Sequence, residues 1–384
     1  MKCCISIGTI DKNILFLIIG GIFKCLINIL LIKTDFVVHP LIICIGSSFG
    51  MSLSFILLII YKCRTKKKVK QKIQEKSKNQ LELIYNNQYE EIKRDKYKYI
   101  LLTSIIDFLI TISISTFCHD VKINSWIFDI LFLSLFSHKF LKNNIYRHHY
   151  ISIIIIIIAG IILDVSLGNY AHFINEIIPN IIKFVTEIIF CLGIVINKYT
   201  MVNTYASEYE ICTYQGLFGL IIYIIIFILS KYISFFKRFD SNFEYNSHNI
   251  LIFFAVVIFQ LIYNLSILFT INHTTTCHFL IIMILGFLSR YFIKLYDGND
   301  NSILLIIVLL FILFMTLIFN EIIELNFCGL SHNTKKNITL RANKEKGIML
   351  ADLSNDSLFS EHGSEPNASV SVGDRTRQSS KEKK

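Results

Sequence analysis

Long apolar runs recur along the chain, separated by short polar breaks. They lie near 13–33, 40–62, 99–118, 123–141, 149–168, 175–197, 209–232, 249–271, 278–296 and 301–324. A bilayer core about 30 Å thick is crossed by about 20 apolar residues in helical form, and most of the runs are close to that length. Inside lipid no water satisfies backbone N–H and C=O groups, so a crossing segment must pair them internally as a helix. The isoleucine stretch Ile153 to Ile158 would suit a strand in water; in lipid it is expected to be helical. The pattern predicts an all-α integral membrane protein with about ten transmembrane helices. The run at 123–141 is short and the run at 278–296 carries Arg290 and Lys294, so the count stands to within one. The first run is too long for a cleaved signal peptide and has mixed flanks, Asp11, Lys12 and Lys33. It is expected to stay in the mature chain.

Composition agrees with the pattern. The chain has 384 residues, 53% of them hydrophobic and only three of them proline, and its mean hydropathy is +0.56. A soluble protein this apolar could not cover its surface with polar groups. The net charge of +10 is carried mostly outside the apolar runs. No basic stripe with interleaved aromatics falls in a foldable soluble segment, which argues against a nucleic-acid partner. The ten cysteines include no Cys-x-x-Cys pair and mostly lie in apolar runs, where they read as small hydrophobes. Cys3, Cys4 and Cys328 are juxtamembrane and are weak acylation candidates.

Charge distribution sets an expected orientation through the excess of Lys and Arg in cytosolic loops. The connection from Lys62 to Lys98 holds Arg64, Lys66, Lys67, Lys68, Lys70, Lys72, Lys76 and Lys78. The connection after the fourth run holds Lys142 and Arg147, and the tail after the tenth is also basic. Simple alternation puts all three on one side. The opposite connections are poor in base, apart from the one holding Lys237 and Arg238. Both termini are therefore expected in the cytosol. Ten helices divide into residues 1–168, with the basic loop 62–98, and residues 169–327. The polar tail 328–384 is expected to be disordered. An odd number of helices per half forces the halves into opposite orientations, the inverted-repeat plan with a site near the midplane.

Motifs for covalent chemistry find little context. Gly46-Ser47-Ser48-Phe49-Gly50 spells a nucleophile elbow, but that elbow needs a strand-to-helix turn. In a membrane helix, small residues four apart serve close packing. No His-Glu-x-x-His is present, and Asp297 and Asp300 share one short loop, whereas intramembrane aspartyl chemistry needs two facing helices. Arg147-His148-His149 reads as an interfacial basic cluster more than a metal site. An enzyme, a metal and a cofactor are all unexpected.

Ionisable and amide residues inside the runs carry the functional signal, because each is costly in lipid unless it is paired or faces a cavity. Lys24, Asp107 and Glu187 fall at nearly the same depth in three runs. Asn264 and Arg290 are offset by about four residues, or about 6 Å. Two readings stay open for these five: the wall of a substrate pathway, or buried pairing such as Lys24 with Asp107 that glues helices together.

A family resemblance runs in order along the chain. It rests on His39-Pro40, Cys63-Arg64, Asp107, Phe136-Ser137 with Phe140-Leu141, Gln215-Gly216-Leu217-Phe218-Gly219, and Thr316-Leu317-Ile318-Phe319-Asn320-Glu321. Together these resemble the drug/metabolite transporter superfamily, specifically the nucleotide-sugar-transporter-like F branch of the solute-carrier 35 family, as a divergent member. Where that branch carries Gln-x-x-Arg on helix four, Ile123 to Asp129 has neither residue. Its paired Glu on helix six falls at Ile196 and Asn197, and its Asp and Arg on helix nine fall near Ile282 and Leu285. The resemblance implies two inverted five-helix repeats and alternating-access transport of small organic solutes. It also implies an endomembrane address, lysosome- or vacuole-like, Golgi or ER. The expected partners are a small-molecule solute and membrane lipid, with a homodimer left open. A transport-dead membrane scaffold and an amino acid or peptide exporter of the chloroquine-resistance type are the alternatives.

Overall fold

The computed structural model describes residues 5–7, 14–33, 40–73, 96–110, 113, 125–166, 177–230, 232, 247–296 and 302–325. The chain divides into Met1–Asn333, which holds every described element, and Thr334–Lys384. The tail 328–384 and most of the basic loop 62–98 lie outside the described residues.

The helices are α1 (Ile14–Lys33), α2 (Pro40–Ile73), α3 (96–110), α4 (Asp129–Leu141), α5 (Arg147–Ser166), α6 (Ile177–Thr204), α7 (Glu208–Ser230), α8 (Ser247–His273), α9 (Phe279–Tyr296) and α10 (Ser302–Phe319). Short 3-10 turns, Ser125–Phe128 and Thr276–His278, lead into α4 and α9. Two three-residue strands, β1 (Ile5–Ile7) and β2 (Ile323–Leu325), pair antiparallel with Ile5 opposite Leu325. Among the described residues, six helices are long and apolar enough to cross a membrane, and Ile14–Leu30 and Ile303–Phe319 are shorter apolar ones. The protein is an all-α, multi-pass membrane protein.

Lipid explains the surface. On α5, Ile154, Ile158, Ile161 and Ile162 are exposed while Ile153, Ile156 and Leu163 are buried. That is helical spacing with both faces apolar, one turned to the core and one to hydrocarbon. The isoleucine stretch is thus a helix, and its exposed side would be an uncovered apolar patch in water. α2 departs from expectation at its far end. It continues to Ile73, past the apolar limit near residue 62, because lysine and arginine are good helix formers once the chain is in water.

α1 packs on α8 and α9, α2 on α7 and α8, α4 on α6, and α10 on α5 and α9. α3 meets α6 where Ile106 Cγ2 stands 3.0 Å from the position a Cβ on Gly193 would take, and where Tyr99 meets Tyr199 edge-on. Backbone-to-backbone approach needs glycine in two places. A Cβ on Gly50 would stand 2.5 Å from the Val257 carbonyl of α8, and one on Gly216 would strike the Ser52 amide of α2. Gly50, in the stretch that spells a nucleophile elbow, thus sits in a helix contact of the kind its small size permits.

Three helix ends use a non-glycine residue in the left-handed region: Lys142 after α4, Tyr205 after α6 and Glu321 after α10. Only residues 205–207 separate α6 from α7.

Candidate solute cavity

A cavity of about 270 Å³ lies among the helices. α2 lines it with Cys44, Ser47, Ser48 and Met51, and α3 with Ser104, Asp107 and Ile110. α6 contributes Phe190, Ile194 and Asn197, and α7 contributes Gln215, Gly219 and Tyr223. α8 adds Tyr263, Asn264, Ile267, Leu268 and Ile271, and Phe279 stands at the start of α9. On α2, α3, α6, α7 and α8 the lining residues recur at helical spacing, so each of these helices contributes one face.

Polar groups in such a place must be paired or face space. Gln215 Nε2 donates to Thr103 Oγ1 at 2.6 Å and to Asn197 Oδ1 at 2.8 Å, tying α7 to α3 and α6. Asn264 Nδ2 reaches Ser47 Oγ at 3.5 Å, and Ser104 Oγ donates to the Ile100 carbonyl at 2.9 Å. Tyr263 OH points to Met283 Sδ at 3.7 Å. Among the described residues lining the cavity, Asp107 is the one ionisable carboxyl, and none is Lys, Arg or His.

Of the five residues singled out by sequence, Asp107 and Asn264 meet at this cavity. Lys24 stands beside it. Its ammonium lies 4.9 Å from the centroid of the Tyr263 ring, a cation–π distance, and its stem crosses Gly286, where a Cβ would stand 2.6 Å from Lys24 Cγ. Arg290 is exposed on α9. Glu187 belongs to a separate group between α4 and α6. There Ser125 Oγ donates to Glu187 Oε1 at 3.3 Å, and Cys191 donates to the Asp129 backbone carbonyl at 3.8 Å. Asp129 is 1% exposed, its Oδ1 makes no hydrogen bond, and Glu187 is close enough for the two carboxyls to interact. Equal depth along the bilayer normal did not place Lys24, Asp107 and Glu187 in one site. Gln215, Asn197 and Tyr263, which complete the wall, are not among the five, because they lie nearer the helix ends or carry no charge or amide.

Toward the end where α6 gives way to α7, the helices close tightly. Lys198 Nζ donates to three carbonyls at the end of α8, Ile271 at 2.6 Å, Asn272 at 2.8 Å and Thr274 at 2.7 Å. Glu210 lies 2.8 Å from Lys96 and 3.8 Å from Lys62. Asn272 Nδ2 donates to Glu208 Oε1 at 2.5 Å, and the hydroxyls of Ser137 and Thr276 bond each other at 2.5 Å. Phe16, Phe269 and Tyr209 form a run of ring contacts across α1, α8 and α7. The same end holds His148, which at 4% exposure is buried among helices instead of facing solvent or lipid.

No protein-family model matches this chain, and no curated protein matches it.

Proposed function

We propose that the protein is a secondary transporter of small organic solutes that works by alternating access, with the cavity around Asp107 as its solute site. The observation that carries this reading is a carboxyl within an apolar helix, Asp107, that lines a cavity together with amides and hydroxyls on helices from both parts of the sequence. Such a group is costly in a membrane unless a solute, ion or water meets it.

The neighbour pattern supports a ten-helix plan of two inverted repeats. Counting five helices on, α1 against α9 has its counterpart in α6 against α4, and α2–α7 and α5–α10 are their own counterparts. α2 against α8 is matched by α7 against α3, the pair joined by Gln215 and Thr103. A pseudo-two-fold axis in the membrane plane produces such pairings, and it runs through a site at the repeat interface. With the basic connections in the cytosol, the tight end faces that side, and this form is closed to it. The endomembrane address, implied by the resemblance to the solute-carrier 35 F branch, is part of the proposal.

The lining chooses among solutes. A phosphate-bearing nucleotide sugar calls for Arg or Lys at close range, whereas Asp107 with neutral amides suits a cationic amine or an uncharged hydrogen-bonding solute. A scaffold without transport is the second reading. It is favoured by Ile282, fully buried against Gly20, near where the branch carries an acid on helix nine.

Uptake into proteoliposomes of purified protein tests the proposal, with small amines and amino acids set against nucleotide sugars. Wild type should take up a cationic or neutral solute, and Asp107→Asn should cut that uptake at least about tenfold, the size of one lost charge-assisted contact of about 1.4 kcal/mol. Absence of any uptake would leave the scaffold reading in front, and equal uptake by Asp107→Asn would move the solute site away from this cavity.

A further inference from the structure

Where α5 begins and α10 ends, three ligand-bearing side chains meet outside the cavity. One ligand atom from each of His148, His149 and Glu321 lies within 4.8 Å of the others. His148 is the unusual member. It is 4% exposed, and neither of its ring nitrogens makes a hydrogen bond. A neutral imidazole has one donor and one acceptor to satisfy, and a buried side chain with both unsatisfied calls for a partner that protein atoms do not supply. Its Nε2 lies 3.3 Å from Glu321 Oε1, without the alignment a hydrogen bond needs. Two ligands bound tetrahedrally to one zinc-type ion, with bonds of about 2.0–2.1 Å, stand about 3.3–3.4 Å apart.

His149 is already oriented. Its Nδ1 accepts the Tyr146 backbone N–H at 2.9 Å, so that nitrogen carries a lone pair, and its ring packs against the Phe319 ring with centroids 4.6 Å apart. Glu321 is held in the left-handed region at φ 59°, with its N–H on the Ile318 carbonyl.

We propose that His148, Glu321 and His149 form a binding site for a divalent transition-metal ion of the zinc type. His148 and Glu321 are the primary ligands. His149 joins as the third by exchanging its Tyr146 hydrogen bond for the metal, and water fills the fourth position. Two imidazoles among three ligands select against magnesium and calcium, which take oxygen. The ion clamps the end of α10 to the start of α5, and through β2, which begins two residues after Glu321, it fixes the strand paired with β1.

The test uses the full-length, untagged protein in detergent, stripped with a chelator and titrated with Co²⁺. Wild type should develop the visible absorption of four-coordinate cobalt, lose it to Zn²⁺, and gain thermal stability with Zn²⁺ but not with Mg²⁺. Glu321→Gln and His148→Gln should each weaken cobalt binding by about tenfold or more, whereas His138→Gln, an exposed histidine on α4, should leave it unchanged. A wild type with no cobalt band, or one bound equally well by Glu321→Gln, overturns the proposal. Should both site variants fail to fold, equal thermal shifts with Zn²⁺ and Mg²⁺ in wild type overturn it instead.

Discussion

At the tight end, Lys198 meets three carbonyls and Glu210 meets two lysines, whereas in the cavity Asp107, Ser48 and Asn264 border open volume. Both regions are built from charges, amides and hydroxyls in helices that are otherwise apolar. They differ in what the polar groups face: other helices at the tight end, and open volume in the cavity. Dense pairing makes a polar residue a structural joint, and its removal should register in stability. A polar residue facing volume is held for something that comes and goes, and its removal should register in transport.

The largest effect expected from this contrast is at Lys198. Lys198→Met strips the donor from three carbonyls at the end of α8, and hydrogen bonds to a charged group contribute about 1.5–3 kcal/mol each before non-additivity. A loss of about 3 kcal/mol is expected, read as a lower thermal midpoint of the solubilised protein. The same change should speed labelling of a Thr274→Cys reporter by a membrane-impermeant maleimide. An unchanged midpoint and an unchanged labelling rate would remove the distinction between the two regions.

Next in size is the relation of Lys24 to Asp107. Were they glue, each single change would destabilise and the double would recover much of the loss. Lys24 lies against α8 and α9 and Asp107 lines the cavity from α3. The effects of Lys24→Gln and Asp107→Asn on thermal stability should therefore add, to within about 0.5 kcal/mol. Recovery in the double variant would turn this part of the cavity into a joint.

Smallest is Ser48→Ala. Ser48 sits in the stretch that spells a nucleophile elbow, but its hydroxyl lies beside Gly219, where a Cβ would stand 2.7 Å from Ser48 Oγ. Stability should change by less than about 0.5 kcal/mol and uptake only modestly. Loss of all activity at unchanged stability would give the hydroxyl a chemical role.

Much of the fold was legible because lipid imposes length and helicity. The runs at 149–168 and 278–296 correspond closely to α5 and α9. The overrun of α2 to Ile73 was hidden, because hydropathy marks where lipid ends and not where a helix ends. Asp107 and Asn264 stood out by being polar among isoleucines. The company they keep did not. In a membrane helix the lipid face and the core face are both apolar, so no amphipathic stripe reveals which way a residue turns. Depth can be counted from the sequence and azimuth cannot, which is how Glu187 was grouped with Asp107 and Arg290 with both. His148 and Glu321 lie in different halves of the sequence, and only the packing of α5 on α10 brings them together.

The three-residue connection at 205–207 has a mechanical consequence. With Tyr205 already in the left-handed region, so short a link has little slack and transmits a tilt instead of absorbing it. In the proposed alternating-access cycle α6 and α7 would swing as one jaw, with Asn197 and Gln215, bonded across it, keeping their spacing. The opposing jaw would be α3, which carries Asp107 and meets α7 through Thr103. On that reading, rocking of this pair would change the gap between the Asp107 carboxyl and the amides while leaving the amide wall intact. The helices would grip and release a solute as a calliper does, by altering the distance between two rigid faces.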